Sequence, residues 1–146
     1  MSSTSTVLGV EYVYRDRIPS PDEHRALSEV VGWHHAFAWE AVPASLAASP
    51  AGVVAHHGAE LVAMGRVVGD GSFFFYVQDV VVHPDHQGRG VGREVVRRLV
   101  EQVDRIAPPK AFLGLFAAGS SAPFYAEHGF AVHEAMTGMF RLVPPR

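Results

Sequence analysis

Glycines fall at every second position in the run Gln87, Gly88, Arg89, Gly90, Val91, Gly92. Glycine reaches positive φ without strain and lets a ligand come close to the main chain, and amide N–H groups converging at a helix start favour an anion. Arg89 and Arg93 add positive charge in the same stretch. Neither familiar nucleotide loop fits: the dinucleotide fingerprint needs glycine where the chain has Arg93, and no Gly-Lys-Ser/Thr tripeptide for a phosphate loop occurs. By itself, a glycine turn supports only an anion-binding loop.

A second chemical residue is Asp79, which interrupts an apolar run containing Val77, Val80, Val81 and Val82. A carboxylate in such a strand needs a partner or a task. Binding, deprotonating or orienting an amine is one task; holding a neighbouring loop is the structural alternative. Nine histidines include the pairs His34 and His35, His56 and His57, and His83 and His86. Adjacent histidines on a strand point to opposite faces, and no third ligand stands at a recognisable spacing, so no metal is expected. Trp33, Phe37 and Trp39 suit either an aromatic pocket or the core.

Several elements must position these residues. Residues 7–14 mix β-branched and aromatic types and read as a first strand. Ser20, Pro21 and Glu23 form a helix start with a capping serine, proline at the first helical position and Glu23 three residues after the cap. That helix runs to about Val31, where Gly32 stops it. Residues 43–48 suggest a second, short helix. Residues 53–56 and 61–68 flank a turn at 57–60, and residues 73–83 give the longest strand, so three consecutive strands make an antiparallel meander.

From Gly90 onward the period changes to about 3.6, with Val91, Val95, Val96, Leu99, Val100, Val103 and Ile106 on one stripe. Arg93, Glu94, Arg97, Arg98, Glu101, Asp104 and Arg105 occupy the other face, where Glu94/Arg98 and Glu101/Arg105 are spaced for ion pairs. A strand at 111–116, a short helix opened by Ser121 and Pro123, and closing strands at 130–134 and 139–143 come next. The expected order is βααβββαβαββ, a mixed α/β (α+β) fold with a mostly antiparallel central sheet flanked by helices.

With 146 residues, a formal charge of −3 and 48% hydrophobic residues, the chain suits one domain spanning residues 1–146. No basic stripe suits nucleic acid. No cysteine is present, which removes disulfides, zinc–thiolate sites and an acyl-cysteine intermediate. No window approaches the roughly 20 apolar residues of a membrane span, and the first ten residues lack the pattern of a signal peptide. A cytoplasmic location is the expectation.

The segment Val82, His83, Pro84, Asp85, His86, Gln87, Gly88, Arg89, Gly90, Val91, Gly92 resembles the central motif of the Gcn5-related N-acetyltransferase (GNAT) superfamily, Val-x-Pro-x-x-Gln/Arg-x-x-Gly-x-Gly/Ala. A second segment holding Phe124, Tyr125, Gly129 and Phe130 is similar to its Phe-Tyr-x-x-x-Gly-Phe motif. The likeness covers residues 61–140 well and the first 60 poorly. It implies acetyl-coenzyme A as co-substrate, with the main chain of Val80, Val81 and Val82 against the pantetheine arm and residues 87–92 around the pyrophosphate. It further implies direct attack of a primary amine on the thioester in a ternary complex, with Tyr125 as general acid.

Asp79 joins Tyr125 as a catalytic candidate, and His34 or His35 could serve as a base on the acceptor side. Where the superfamily often has asparagine, the chain has Ala118. Gly138, Met139 and Phe140 resemble a segment of serotonin N-acetyltransferase-like members, a hint toward arylalkylamines. A small-molecule amine is the expected acceptor. The alternatives are a protein or peptide amine, or a non-catalytic acetyl-coenzyme A sensor or partner subunit. A homodimer is compatible with this reading.

Overall fold

The computed structural model describes residues 2–7 and 10–146, which divide into two compact units, Met1–Leu115 and Phe116–Arg146. The first unit is built on a six-stranded sheet. Its strands are β1 (Ser2–Val7), β2 (Val10–Arg15), β3 (Ala51–His57), β4 (Glu60–Gly69), β5 (Phe74–Val82) and β6 (Phe112–Gly114), and they lie side by side in chain order. Every pairing is antiparallel except β5 with β6, which is parallel. Helices α1 (Pro21–Val30), α2 (Val42–Ala47) and α3 (Val91–Ile106) complete this unit.

Burial explains the layering. Residues 51–55 of β3 and 62–67 of β4 are covered without the alternation of a half-exposed strand, so both faces of the central strands are packed. Adjacent residues of a strand face opposite ways. Met64 packs with Leu27 of α1 and Val81, whereas a Cβ on Gly65 would strike Leu99 Cδ1 and Val95 Cγ1 of α3 at 2.9 Å each. Thus α3 covers one face and α1 the other.

The anticipated cap of α1 is present. Ser20 Oγ accepts from the Glu23 amide at 3.1 Å, and Glu23 Oε1 accepts from the Ser20 amide at 2.8 Å. Both Nη atoms of Arg17 donate to the Glu23 carboxylate at 2.8 and 3.0 Å. In α3 the buried stripe is Val91, Val95, Val96, Leu99 and Val103, while Ile106 at the frayed end is half exposed. The pairs Glu94/Arg98 and Glu101/Arg105 form at 3.1 and 3.0 Å.

Arg98 departs from its expected place on the solvent face. Its side chain is buried and bonds Asp16 at 2.8 Å and the Ser3 hydroxyl, with its guanidinium over the Tyr14 ring. The N-terminal strands, which periodicity within α3 does not reveal, cover that side of the helix.

Two corrections concern strands. The single strand expected at 7–14 is two: β1 pairs with β2 from Ser2↔Arg15 to Val7↔Val10, and residues 8 and 9 lie outside the described residues. The largely exposed Ser/Thr segment 2–6 suits an edge strand, and apolar patterning does not flag it.

The second correction falls in the other unit, which holds α4 (Ala122–Ala126). Residues 130–134 and 139–143 form no strands there. Val132, Met139, Phe140, Leu142 and Val143 are 81–91% exposed, and alternation without a pairing edge does not sustain a strand. The order among the described residues is therefore ββααβββαβα, while the mixed, mostly antiparallel sheet with flanking helices is as expected.

Candidate active site

The glycine loop lies between β5 and α3, as its composition requires. After β5 a 3-10 turn at Pro84–His86 leads into residues 87–90, and α3 starts at Val91. Gly88 and Gly90 have φ of 76° and 79°, and a Cβ at either would meet no atom within 4 Å. Positive φ explains why glycine is needed, and the empty space shows that packing does not.

Helix hydrogen bonding begins with the Glu94 amide donating to Gly90 O at 3.1 Å. Among the described residues, no acceptor takes the amides of residues 88–92. Five successive N–H groups at the positive end of a 16-residue helix are a donor set of the kind that suits an anion. Val91, 1% exposed, opens the buried stripe of α3.

Two contacts anchor the loop. Gln87 Nε2 donates to Val82 O at 3.1 Å, and His86 Nδ1 lies 2.9 Å from the Tyr12 hydroxyl on β2. His86 is held below the usual histidine range, first by burial and then by nearby Arg89. The contact between the two side chains pins the loop to the sheet.

β5 pairs with β6 only over Phe74↔Phe112 to Tyr76↔Gly114, so residues 77–82 continue beyond the last parallel pair. Val80, Val81 and Val82 lie on this open stretch and run directly into the loop. Their neighbour Asp79 has φ 55°. Its Oδ2 accepts from Arg66 Nε at 2.8 Å and from His24 Nε2 at 3.0 Å. Burial pushes the Asp79 carboxyl up, but these two donors outweigh it and hold the group below the usual carboxylate range.

Beyond Asp79, His24 is 1% exposed and stacks edge-on against Phe37 and Trp39, with ring centroids 5.0 and 5.9 Å away. Phe37 and Trp39 are half buried and lie 5.1 Å apart. Trp39 Nε1 donates to His34 O at 3.0 Å, and the His34 and His35 rings are 3.9 Å apart. Trp33 is 41% exposed and outside this cluster.

Periodicity and motif spacing miss His24 and Arg66, although the sequence holds one signal for the second. Arg66 breaks the apolar run 61–68 just as Asp79 breaks its own, and opposite charges inside neighbouring strands are candidates for a buried pair.

In the C-terminal unit, Tyr125 belongs to α4 and packs edge-on with Phe124 and Phe130, centroids 5.0 and 6.1 Å away. Burial pushes its phenol above the ordinary tyrosine value. A phenol at its ordinary value is already protonated at neutral pH, and the upward shift leaves that unchanged. Among the described residues no cluster of three His, Asp or Glu could hold a metal, and no helix is long and apolar enough to cross a membrane. An open groove of about 540 Å³ lies at the far end of α3, lined by Val103, Ala107, Pro109 and Leu113 among others. It is remote from the amide cradle and offers no convergent donors.

The family described as Acetyltransferase (GNAT) domain matches residues 49–132. An uncharacterized N-acetyltransferase of Pyropia yezoensis is 34% identical over 82 residues, covering 56% of this chain and 46% of that protein. A protein of Oryza sativa subsp. japonica named serotonin N-acetyltransferase 2, chloroplastic, is 42% identical over 79 residues, covering 53% of this chain and 38% of that one. The chain thus spans less than half the length of these curated relatives. A probable acetyltransferase of unknown function from methicillin-resistant Staphylococcus aureus shares the fold, with a TM-score of 0.81, 23% identity and coverage of 90% of this chain and 99% of that one.

Proposed function

The chain belongs to the GNAT acetyltransferase family, and from the geometry of residues 80–92 we propose that it is an N-acetyltransferase that takes acetyl-coenzyme A and acetylates a primary amine. The observation that carries this reading is the row of five amides, residues 88–92, with no acceptor among the described residues. A diphosphate fits that donor set, because main-chain N–H groups and a helix dipole bind it without needing side chains. The open stretch of β5 next to the cradle gives the pantetheine arm a strand edge to pair with.

Acetyl-coenzyme A supplies a thioester whose C–S bond breaks as the C–N bond to the amine forms, the amine's proton ending on the departing thiol. The chain's work is positioning and proton handling. Main-chain groups of Val80, Val81 and Val82 orient the donor and present an amide where negative charge develops. Tyr125 Oη gives up its proton and regains one from the amine through solvent. The family match spans residues of both units, which supports reading residues 1–146 as one catalytic domain.

The acceptor in this reading is a small amine with an aromatic body. Phe37 and Trp39 form a half-buried aromatic pair on His24, which itself bonds Asp79, so one imidazole links an aromatic surface to a carboxylate. Ring stacking on such a pair contributes about 0.5–1.5 kcal/mol beyond area burial. The name of the rice relative points the same way.

Titration calorimetry with coenzyme A, followed by a thiol-release assay over aliphatic amines, arylalkylamines and a basic peptide, tests this. Binding, and release that is fastest with arylalkylamines, is expected. Tyr125→Phe should lower turnover roughly 10- to 100-fold while leaving coenzyme A affinity in place. Binding without release from any amine would replace the enzyme reading by a sensor, and no binding at all would overturn both.

A further inference from the structure

Asp79 is one of two described non-glycine residues with positive φ, and the other, Lys110, lies in a loop. Its position explains the anomaly. Met64 pairs with Val81 and Arg66 with Gln78, so Gly65 alone stands opposite both Asp79 and Val80. Two residues against one is a β-bulge, which bends the strand and re-aims the residues beyond it. Left-handed backbone at such a residue is costly and persists only where the surroundings over-determine it.

The surroundings do so here. Arg66 and His24 both donate to Asp79 Oδ2, and Arg66 Nη1 also donates to Ser45 O at 3.0 Å and Ser49 Oγ at 3.1 Å. Arg66 and His24 are both buried. One carboxylate oxygen thereby joins the bulge to β4, to α1 and to the residues that end α2. On the bulge's other side, the Val80 side chain approaches within 3.3 Å of the Gly65 Cβ position, beside Val95 and Leu99 of α3.

We propose that Asp79 serves the transfer as a positioning residue through its backbone: clamped by Arg66 and His24, it fixes the bulge that sets where the Val80 main chain meets the acetyl donor. This rests on the acetyltransferase reading and deepens it. Asp79 then does not act as the base. A carboxylate whose oxygen takes two charge-assisted or polar bonds is a weak proton acceptor, and the low position of its pKa agrees.

The test compares Asp79→Asn, Asp79→Val and Arg66→Met with the wild-type chain. Asparagine tolerates left-handed backbone and keeps an oxygen for the clamp but removes the base, whereas β-branched valine cannot adopt that conformation without strain. Asp79→Asn should lower kcat by no more than about tenfold and keep the shape of the pH profile, while Asp79→Val should lose more than about 100-fold, the size of a lost oxyanion donor. KM for acetyl-coenzyme A should change far less than kcat in both.

Amide spectra of the isotope-labelled chain report folding and binding together. Addition of coenzyme A should shift the Val80 resonance in wild type and in Asp79→Asn, and should not in Asp79→Val. Where valine prevents folding, Arg66→Met loosens the clamp with residue 79 intact and should lower kcat roughly tenfold. A folded Asp79→Asn that loses activity as fully as Asp79→Val would overturn the proposal in favour of carboxylate chemistry. So would Asp79→Val with wild-type turnover, or wild type that binds coenzyme A with no change at Val80. Wild type that neither binds nor turns over would remove the acetyltransferase reading itself.

Discussion

Replacing Gly90 with alanine separates what the loop does for folding from what it does for a ligand. Gly90 is the N-cap of α3 at φ 79° and ψ 6°, a conformation that costs a residue with a Cβ roughly 1–2 kcal/mol. The new methyl meets no protein atom within 4 Å, so no clash is added, and the strain should lower Tm by about 2–4 °C per kcal/mol in a chain of this size. Gly58, in the turn between β3 and β4, is the control. Its φ is 61°, and its Cβ position is equally empty.

Scanning calorimetry should therefore find the same loss for Gly58→Ala and Gly90→Ala. Binding should divide them. A methyl at residue 90 occupies the space from which an anion approaches the amides, and losing one hydrogen bond to a charged group costs about 1.5–3 kcal/mol. That corresponds to roughly 10- to 100-fold weaker coenzyme A binding by titration calorimetry, with Gly58→Ala unchanged. Equal affinity in the two variants would refute the assignment of the pyrophosphate to this loop.

Two further outcomes test the scaffold around the site. Hydrogen bonds from Arg17, only partly offset by burial, hold the Glu23 carboxyl at about 2 against an ordinary 4.5. Because the folded value is the lower one, the stabilisation is complete above the unfolded value of 4.5 and is lost as pH falls toward about 2. Solvent screening of the half-exposed Arg17 reduces it to about 1 kcal/mol. Glu23→Gln should lose that much near neutral pH and show a flatter denaturation midpoint across the acid range, and an unchanged slope would count against the pair. Gly65→Ala would place a methyl 2.9 Å from both Leu99 Cδ1 and Val95 Cγ1, overpacking the α3 contact by about 1–3 kcal/mol. A wild-type Tm in that variant would mean the face is looser than it looks.

Local signals were legible because neighbouring residues carry them. The capping box at Ser20 and Glu23, the glycine loop before α3 and the valine stripe of that helix depend on spacings of one to four residues, and the structure has all three. The meander of β3, β4 and β5 was legible from turn residues between apolar runs. Where patterning failed, the deciding contact was remote or missing. Arg98 belongs to the solvent-facing pattern of α3, yet Ser3 and Asp16, more than 80 residues earlier, close over it. The segment 130–143 alternates well enough for strands, but pairing needs a partner edge that alternation does not provide.

By itself the sequence determined the glycine turn, its place between a strand and a helix, and the motifs that resemble the GNAT superfamily. Only the tertiary structure decided how Asp79 is held. Its left-handed backbone, the two-against-one register at Gly65, and the clamp from Arg66 and His24, 13 and 55 residues away, appear only when separate elements pack together. A carboxylate in an apolar strand announces that it needs a partner, because an unpaired buried charge is prohibitively costly. Which partner it finds, and what backbone it must adopt to reach it, is set by packing over distances that no local pattern spans.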